Sequence, residues 1–314
     1  MISNNKGQIV SISISPKRGT KKEPVDLVSL DKGGIIGDGH YGFGHRQVSI
    51  LSMENLEIFS REKKREFQAG EFAENLRIDG IDFSRMTILD RIKIGENVIL
   101  EFTQKGKKCH GDDCPIYREI GECLMPDDGI FCRVLKGGKI KIGDEVKALL
   151  RPLQSKIITI SDRAYNKIYN DRSGPAIREI LVDYFMDKEW HSEIYNIIVP
   201  DDEDRIKREI QTAVDTGIDL IITTGGTGPG KNDITPDIIE PILEKPIPGI
   251  MEFIRCKYGK DNPNALLSRG IAGVINKSQI YTLPGSVKAV GEYMREITKT
   301  LEHILLLLHG IDPH

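Results

Sequence analysis

One stretch of the chain, Gly225-Gly226-Thr227-Gly228-Pro229-Gly230-Lys231-Asn232-Asp233, concentrates glycine, a lysine and a carboxylate. Glycines let backbone amides turn toward a phosphate with no Cβ in the way, so the run reads as an anion cradle. It is not a P-loop. Gly225, Gly230 and Lys231 fit G-x-x-x-x-G-K, but Asn232 stands where a hydroxyl should hold magnesium, and Pro236 falls where the following helix should already be running. The dinucleotide fingerprint fails as well, because the glycine spacing is G-x-G-x-G. Three other loops carry compatible chemistry. Ser161-Asp162-Arg163 follows an apolar run, and Val199-Pro200-Asp201-Asp202 puts carboxylates at a helix start, where ordinary capping is the plain alternative for Asp201. Leu283-Pro284-Gly285-Ser286 offers a glycine and a helix-opening serine, a combination that holds anions. Carboxylates for a cation beside amides for phosphates are what phosphoryl or nucleotidyl transfer requires.

A second concentration of chemistry is sulfur. Of five cysteines, Cys109, Cys114, Cys123 and Cys132 cluster and Cys256 stands apart. Three readings stay open. Cys109, Cys114 and Cys123 with His110 could hold zinc, although they lack the paired C-x2-C knuckles of common sites. The thiols could be inert and buried, as Cys132 on a β-like run suggests. Or Cys109 or Cys114 is a reactive thiol, its thiolate favoured by His110, Lys107 and Lys108 and opposed by Asp112 and Asp113.

The elements that must position these residues change character near Leu150-Arg151-Pro152, so the expected domains are 1–150 and 151–314. The first half predicts strands over 7–14, 48–51, 87–89, 97–102 and 130–135, punctuated by glycine, with one helix from Ser52 to about Glu66. That pattern suggests a mostly-β, barrel-like domain. The second half predicts strands over 156–160, 194–199, 219–224 and 279–283, alternating with helices opened by Gly174-Pro175, over 201–214 and over 286–308. This is an α/β three-layer, doubly wound pattern, whose ligands bind beyond the carboxyl ends of the strands.

Composition narrows the function classes. A net charge of −3 argues against general nucleic-acid binding. The longest apolar run, Ile304 to Leu308, is far short of the roughly 20 residues of a membrane span. The first residues form no apolar signal segment, so the expected location is the cytoplasm.

The second half resembles the molybdopterin adenylyltransferase family (MogA-type, with MoaB-type relatives). The matching residues are ITISDRAY (158–165), DRSGPAI (171–177), VPDDEDRI (199–206), TTGGTGPGKNDITPD (223–237), IPG (247–249), ALLSRGIAGV (265–274) and LPGSVKAV (283–290). The resemblance implies adenylylation of molybdopterin by ATP and Mg²⁺ with release of pyrophosphate. It implies that Asp201 and Asp233 are the essential carboxylates, assigned to Mg²⁺ and substrate positioning. Gly225, Gly226, Thr227 and Gly228 would hold phosphates, with Ser161, Asp162, Pro284 and Gly285 at the same site. Ser268, Arg269 and Ser286 would contact the pterin side or its phosphate. The family usually has a basic residue before the motif aspartate; here it is Asn232, with Lys231 one position off. A trimer is the family's common assembly.

The first half resembles the MOSC domain through GGIIGDGH (33–40), HRQVSIL (45–51), AGEFAENLRIDGIDF (69–83), the cysteine run and GGKIKIGDEV (137–146). That resemblance implies an accessory module binding molybdenum cofactor or carrying sulfur on Cys109 or Cys114. Its partners would be a separate sulfur donor and a molybdate-inserting protein. The alternatives are a non-catalytic molybdopterin carrier or sensor and, for the first half, a zinc-stabilised interaction module.

Overall fold

The computed structural model describes residues 5–109, 111, 114, 117, 118 and 121–312. The chain divides into two compact units, Met1–Arg151 and Pro152–His314.

The first unit contains β1 (Lys6–Ile14), β2 (Glu23–Val25), β3 (Leu27–Asp31), β4 (Gly34–Ile35), β5 (Val48–Ser52), α1 (Met53–Lys63), β6 (Leu76–Asp79), β7 (Arg91–Ile94), β8 (Val98–Lys105), β9 (Ile130–Lys136), β10 (Gly138–Lys141) and β11 (Glu145–Leu149). Its main sheet runs β11-β7-β8-β9-β5-β6-β1, and β1 pairs back to β11 through Lys6–Gln8, closing a barrel. Closure removes the open edges that such a sheet would otherwise expose. Side chains alternate along each strand, and the inward set (Ile12, Ile50, Leu76, Ile78 and Leu100 among them) is fully buried. Helix α1 makes the parallel step from β5 to β6, and the Ser52 hydroxyl caps it by accepting from Asn55 N at 3.2 Å.

The expected strand at 87–89 is instead a turn. Leu89 has a left-handed φ of 73°, and the Asp90 carboxylate accepts from Thr87 N at 2.8 Å. That side-chain bond offers the backbone an alternative to the ladder, and pairing resumes at Arg91.

The residues behind the MOSC resemblance meet in a buried polar network. Lys22 Nζ lies 2.6 Å from Asp38 Oδ2, with their side chains 1% and 0% exposed. Asn75 Nδ2 donates to the same carboxylate (3.0 Å) and to Ser13 O (3.1 Å), while its own carbonyl accepts from Ser49 Oγ (3.0 Å). His40 N donates to Asp38 Oδ1 at 3.0 Å.

The second unit contains β12 (Leu153–Ile160), α2 (Asp162–Tyr165), α3 (Ser173–Asp187), β13 (Ser192–Val199), α4 (Glu203–Asp215), β14 (Leu220–Thr224), α5 (Thr235–Ile239), β15 (Lys245–Pro246), α6 (Pro248–Gly259), β16 (Ala272–Ile275), β17 (Ser278–Leu283) and α7 (Val287–Leu308). The sheet order is β13-β12-β14-β17-β16-β15. The first four strands are parallel, and β16 and β15 are antiparallel additions. β14 lies between two parallel neighbours and is buried throughout, which explains its unbroken apolar and β-branched sequence. Ile206, Ile210 and Ala213 of α4 pack on Ile158, Ile221 and Ile280, while α3 and α7 pack on each other.

Two helix starts differ from expectation. Pro175 is the third residue of α3 rather than the first, because the Asp171 carboxylate accepts from Ser173 N (2.9 Å) and Gly174 N (3.2 Å) and starts the helix earlier. Helix α4 begins at Glu203, and its cap is Asp202, which accepts from Arg205 N at 2.8 Å. Asp201 is therefore not the helix cap. No helix among the described residues is long and apolar enough to cross a membrane.

Candidate active site

The carboxyl ends of β12, β13, β14 and β17 share one edge of the parallel sheet, and a cavity of about 620 Å³ opens there. Ser161, Asp201, the 224–229 loop, Asp233, Ser268 and the Pro284-Gly285-Ser286 turn all line it. The loops are tied to one another. Gly225 N donates to Leu283 O (3.0 Å), Thr224 Oγ1 to Pro284 O (2.9 Å) and Ser173 Oγ to Gly285 O (2.6 Å).

Glycine is needed at particular points of this loop. Gly225 has φ 105°, and a Cβ there would meet Ile160 O at 2.2 Å. A Cβ on Gly228 would stand 2.7 Å from Asp233 Oδ2. The Asp233 carboxylate folds back over the loop, accepting from Gly230 N at 2.9 Å. Asp201 and Asp162 exchange bonds: Asp162 N donates to Asp201 Oδ2 (2.8 Å) and Asp201 N to Asp162 Oδ1 (3.1 Å). Burial pushes the Asp201 carboxyl above its ordinary range, and the charges of Asp162 and Asp233 add to this, against the Asp162 backbone N–H. Asp201 and Asp233 therefore feel one another from two different strand ends.

Ser286 caps α7, its hydroxyl accepting from Ala289 N at 3.3 Å, so the start of a 22-residue helix faces the cavity. Arg269 has a different place from the other expected contacts. It lies outside the cavity lining and braces the loop from behind. Its Nε donates to Gly228 O (2.9 Å), Nη1 to Asp237 Oδ1 (2.7 Å), and Nη2 to Asp237 Oδ2 (2.9 Å) and to Asp233 O. Asp162 and Lys231 also lie outside the lining.

Several wall residues had no role assigned from sequence: Tyr169, Asp171, Ser173, Asn262, Glu292 and Tyr293. Asp171 and Ser173 sit in the DRSGPAI match, which was their available signal. Glu292 and Tyr293 looked like ordinary positions of an amphipathic helix, and only tertiary structure turns that face toward the cavity.

In the first unit Cys109 is exposed and Cys114 half-buried. Burial pushes the Cys123 thiol up, and Cys132, on the inner side of β9, is fully buried with its thiol held far above the ordinary range. His110, Asp112 and Asp113 lie outside the described residues. Among the described residues no group of three or more His, Cys, Asp or Glu side chains is arranged to hold a metal.

Residues 156–303 match the family described as probable molybdopterin binding domain, and residues 37–147 match the MOSC domain. The chain is 39% identical over 155 residues to a molybdopterin adenylyltransferase of Helicobacter pylori, covering 49% of this chain and 86% of that protein. It is 33% identical over 160 residues to molybdenum cofactor biosynthesis protein B of Staphylococcus aureus, covering 50% of this chain and 92% of the relative. The solved tungsten cofactor synthesizing protein MoaB from Pyrococcus furiosus is 31% identical, with 52% of this chain and 99% of that one covered and a TM-score of 0.46. The chain thus belongs to the molybdopterin adenylyltransferase family of molybdenum cofactor biosynthesis, with a MOSC domain joined to its amino-terminal side.

Proposed function

We propose that the second domain transfers adenylate from ATP to molybdopterin in a Mg²⁺-dependent reaction that releases pyrophosphate. The observation that carries this is the meeting of Asp201 and Asp233 in one cavity with the glycine loop and the start of α7. The two carboxylates fit Mg²⁺. Asp201 is already pushed upward by burial and by neighbouring charge, and Mg²⁺ commonly takes one or two protein carboxylates and completes its shell with phosphates and water. Bound there, the ion would neutralise charge between the two anionic substrates.

The remaining chemistry falls to the chain. The attacking oxygen belongs to the terminal phosphate of molybdopterin, largely dianionic at pH 7 because its second pKa is about 6. It bonds to the α-phosphorus of ATP as the bond to the pyrophosphate oxygen breaks, so no strong general base is needed. Alignment and charge neutralisation carry the rate. The amides of Gly225 to Gly228 and the α7 terminus at Ser286 hold phosphate oxygens, with Ser161, Pro284 and Gly285 shaping the same wall. Ser268 faces the pterin side. Arg269, through Gly228 O, Asp233 O and Asp237, keeps the loop and its aspartate in place.

The test is incubation with molybdopterin, Mg²⁺ and ATP labelled on the α-phosphate. The expected result is label in the pterin product together with pyrophosphate. Binding of both substrates without label transfer would leave a carrier or sensor.

The barrel domain is proposed as the accessory module that binds molybdenum cofactor or carries sulfur supplied by a separate donor. The exposure of Cys109 and partial exposure of Cys114 support them as the accessible thiols. Alkylation of the native protein, read by peptide mass, should label Cys109 and Cys114 well before Cys132. Slow labelling of both would leave the barrel as a binding module alone.

A further inference from the structure

The barrel holds a third thiol, Cys123, beside the two accessible ones. After β8 the chain turns at Gly106, whose N–H donates to Gly129 O at 2.7 Å, and Lys107 N donates to Pro126 O at 3.0 Å. The join is tight: Gly106 has φ 67°, and a Cβ there would meet Pro126 O at 2.2 Å. Cys109 stands two residues beyond this join on one side, and Cys123 three residues before it on the other. The two arms of the segment therefore bring these cysteines to the same neck.

The three thiols are not equivalent. Cys109 is exposed and its sulfur accepts from Gly111 N at 3.3 Å, while Cys114 is half-buried. Cys123 packs against the cluster that contains Phe67, Phe72 and Phe131, and its neighbours Leu124 and Met125 are buried members of that cluster. Lys63 of α1 pairs with Glu122 and ties the same arm to the helix. Burial pushes the Cys123 thiol up; the Met125 N–H and Lys107 oppose this, and the charges of Cys114 and Cys109 add to it. Both accessible thiols are thus near enough to act on the Cys123 sulfur. A half-buried thiol held protonated is a poor first acceptor of sulfur from an external donor. Fixed on packed residues next to such an acceptor, it is placed to react after loading.

Resting on the sulfur-carrying reading of the barrel, we infer that Cys123 is a resolving thiol that discharges a persulfide on Cys109 or Cys114 by closing a disulfide with it. The Cys123 sulfur attacks the inner sulfur of the persulfide. A new S–S bond forms between the two cysteines, the bond to the outer sulfur breaks, and that sulfur leaves with the Cys123 proton as hydrogen sulfide. The two cysteines give up two electrons and the outer sulfur takes them, so no further oxidant is required. A cellular thiol reductant would reopen the disulfide for the next round.

The experiment loads the reduced full-length protein with glutathione persulfide, removes the excess, and follows released sulfide together with the peptide masses of a digest made without reductant. Wild type should release sulfide in step with a disulfide from Cys123 to Cys114 or Cys109, while buried Cys132 stays unmodified. Cys123→Ser and Cys123→Ala should hold the persulfide on the accessible thiols and slow sulfide release by about tenfold or more, as loss of an intramolecular nucleophile requires. The barrel's melting temperature shows whether each variant is folded, and the wild-type disulfide map decides the matter if neither is. Sulfide release at the wild-type rate from a folded Cys123 variant would overturn the inference, as would a Cys109–Cys114 disulfide that spares Cys123. A persulfide that forms on wild type and stays there would also overturn it, and would leave the carrier reading standing. No sulfur uptake at either accessible thiol would overturn the carrier reading itself, and the inference would fall with it.

Discussion

The glycine-loop cavity and the Asp38 network are both dense in motif residues, yet the two use them in opposite ways. At 225–233 the motif backbone turns outward, and Asp201 and Asp233 line open space. In the segments 33–40 and 69–77 the polar side chains of Asp38 and Asn75 turn inward. Asp38, Asn75 and Lys22 are each at most 5% exposed and are joined to one another by hydrogen bonds. The thiols assigned to chemistry in that domain lie elsewhere, on the segment after β8. A cluster of polar motif residues can therefore be a site or the frame that shapes a domain, and burial with mutual satisfaction tells them apart.

The largest effect should come from breaking the frame. Asp38→Ala leaves Lys22 buried without its carboxylate, and removing one partner of such a pair costs about 3–5 kcal/mol. The barrel's melting transition should fall accordingly, while the paired replacement Lys22→Met with Asp38→Leu should recover most of the loss. Burial alone would raise the Asp38 carboxyl, but the hydrogen bond from His40 and the charge and hydrogen bond of Lys22 outweigh it and hold it below the usual range. A depressed carboxylate stabilises the fold above its unfolded pKa of about 3.9 and loses that contribution as pH falls toward the folded value. The wild-type barrel should therefore lose stability below about pH 4, and the paired apolar variant should show a flatter acid limb. If Asp38→Ala melts like wild type, the network is not the frame.

Breaking the site should leave the fold alone. Asp233→Asn keeps the shape and the Gly230 contact but removes a charge, and should lower adenylylation by at least ~10²-fold with an unchanged melting temperature. Turnover near wild type would remove Asp233 from the mechanism. A milder version is Gly228→Ala, whose added methyl would stand 2.7 Å from Asp233 Oδ2. A displacement of a few tenths of an ångström should cost about tenfold in turnover, between the charge deletion and the wild type. A loss as large as that of Asp233→Asn would mean that the loop backbone, rather than the carboxylate, carries the rate.

How far each region could be read from sequence follows from the same difference. The parallel strands were legible because β12, β14 and β17 end in short apolar and β-branched runs, and the loops after them carried their chemistry in view. The barrel was legible in class but not in detail. β7 begins only after Leu89 takes a left-handed turn, and β6 is only four residues long, set inside a motif with buried Asn75 and Arg77. Arg269 was expected at the substrate, and it braces the loop through Asp237, a partner 32 positions away in sequence. Tyr293 was indistinguishable from core on its helix stripe, because an amphipathic pattern marks what is buried and not what it is buried against.

The smallest effect separates the loop's fixed cation from its exposed one. A P-loop would make Lys231 the phosphate ligand, and Lys231→Ala would then abolish nucleotide binding. Here Lys231 is exposed and outside the cavity lining, one position short of where the family carries its basic residue. In the proposed reaction the loop amides, the α7 terminus and Mg²⁺ would share the phosphate charge, and a surface lysine would add only a screened long-range attraction. Lys231→Ala should therefore raise the KM for ATP by no more than about threefold, with kcat nearly unchanged, and the difference should shrink further as salt rises past ~0.15 M. Arg269→Lys offers the contrast, because a lysine cannot hold Gly228 O, Asp233 O and the Asp237 carboxylate together, and kcat should fall. If Lys231→Ala abolishes ATP binding while Arg269→Lys leaves kcat intact, the side chain that matters is the exposed one, and the phosphates sit further out on the loop than the proposed reaction puts them.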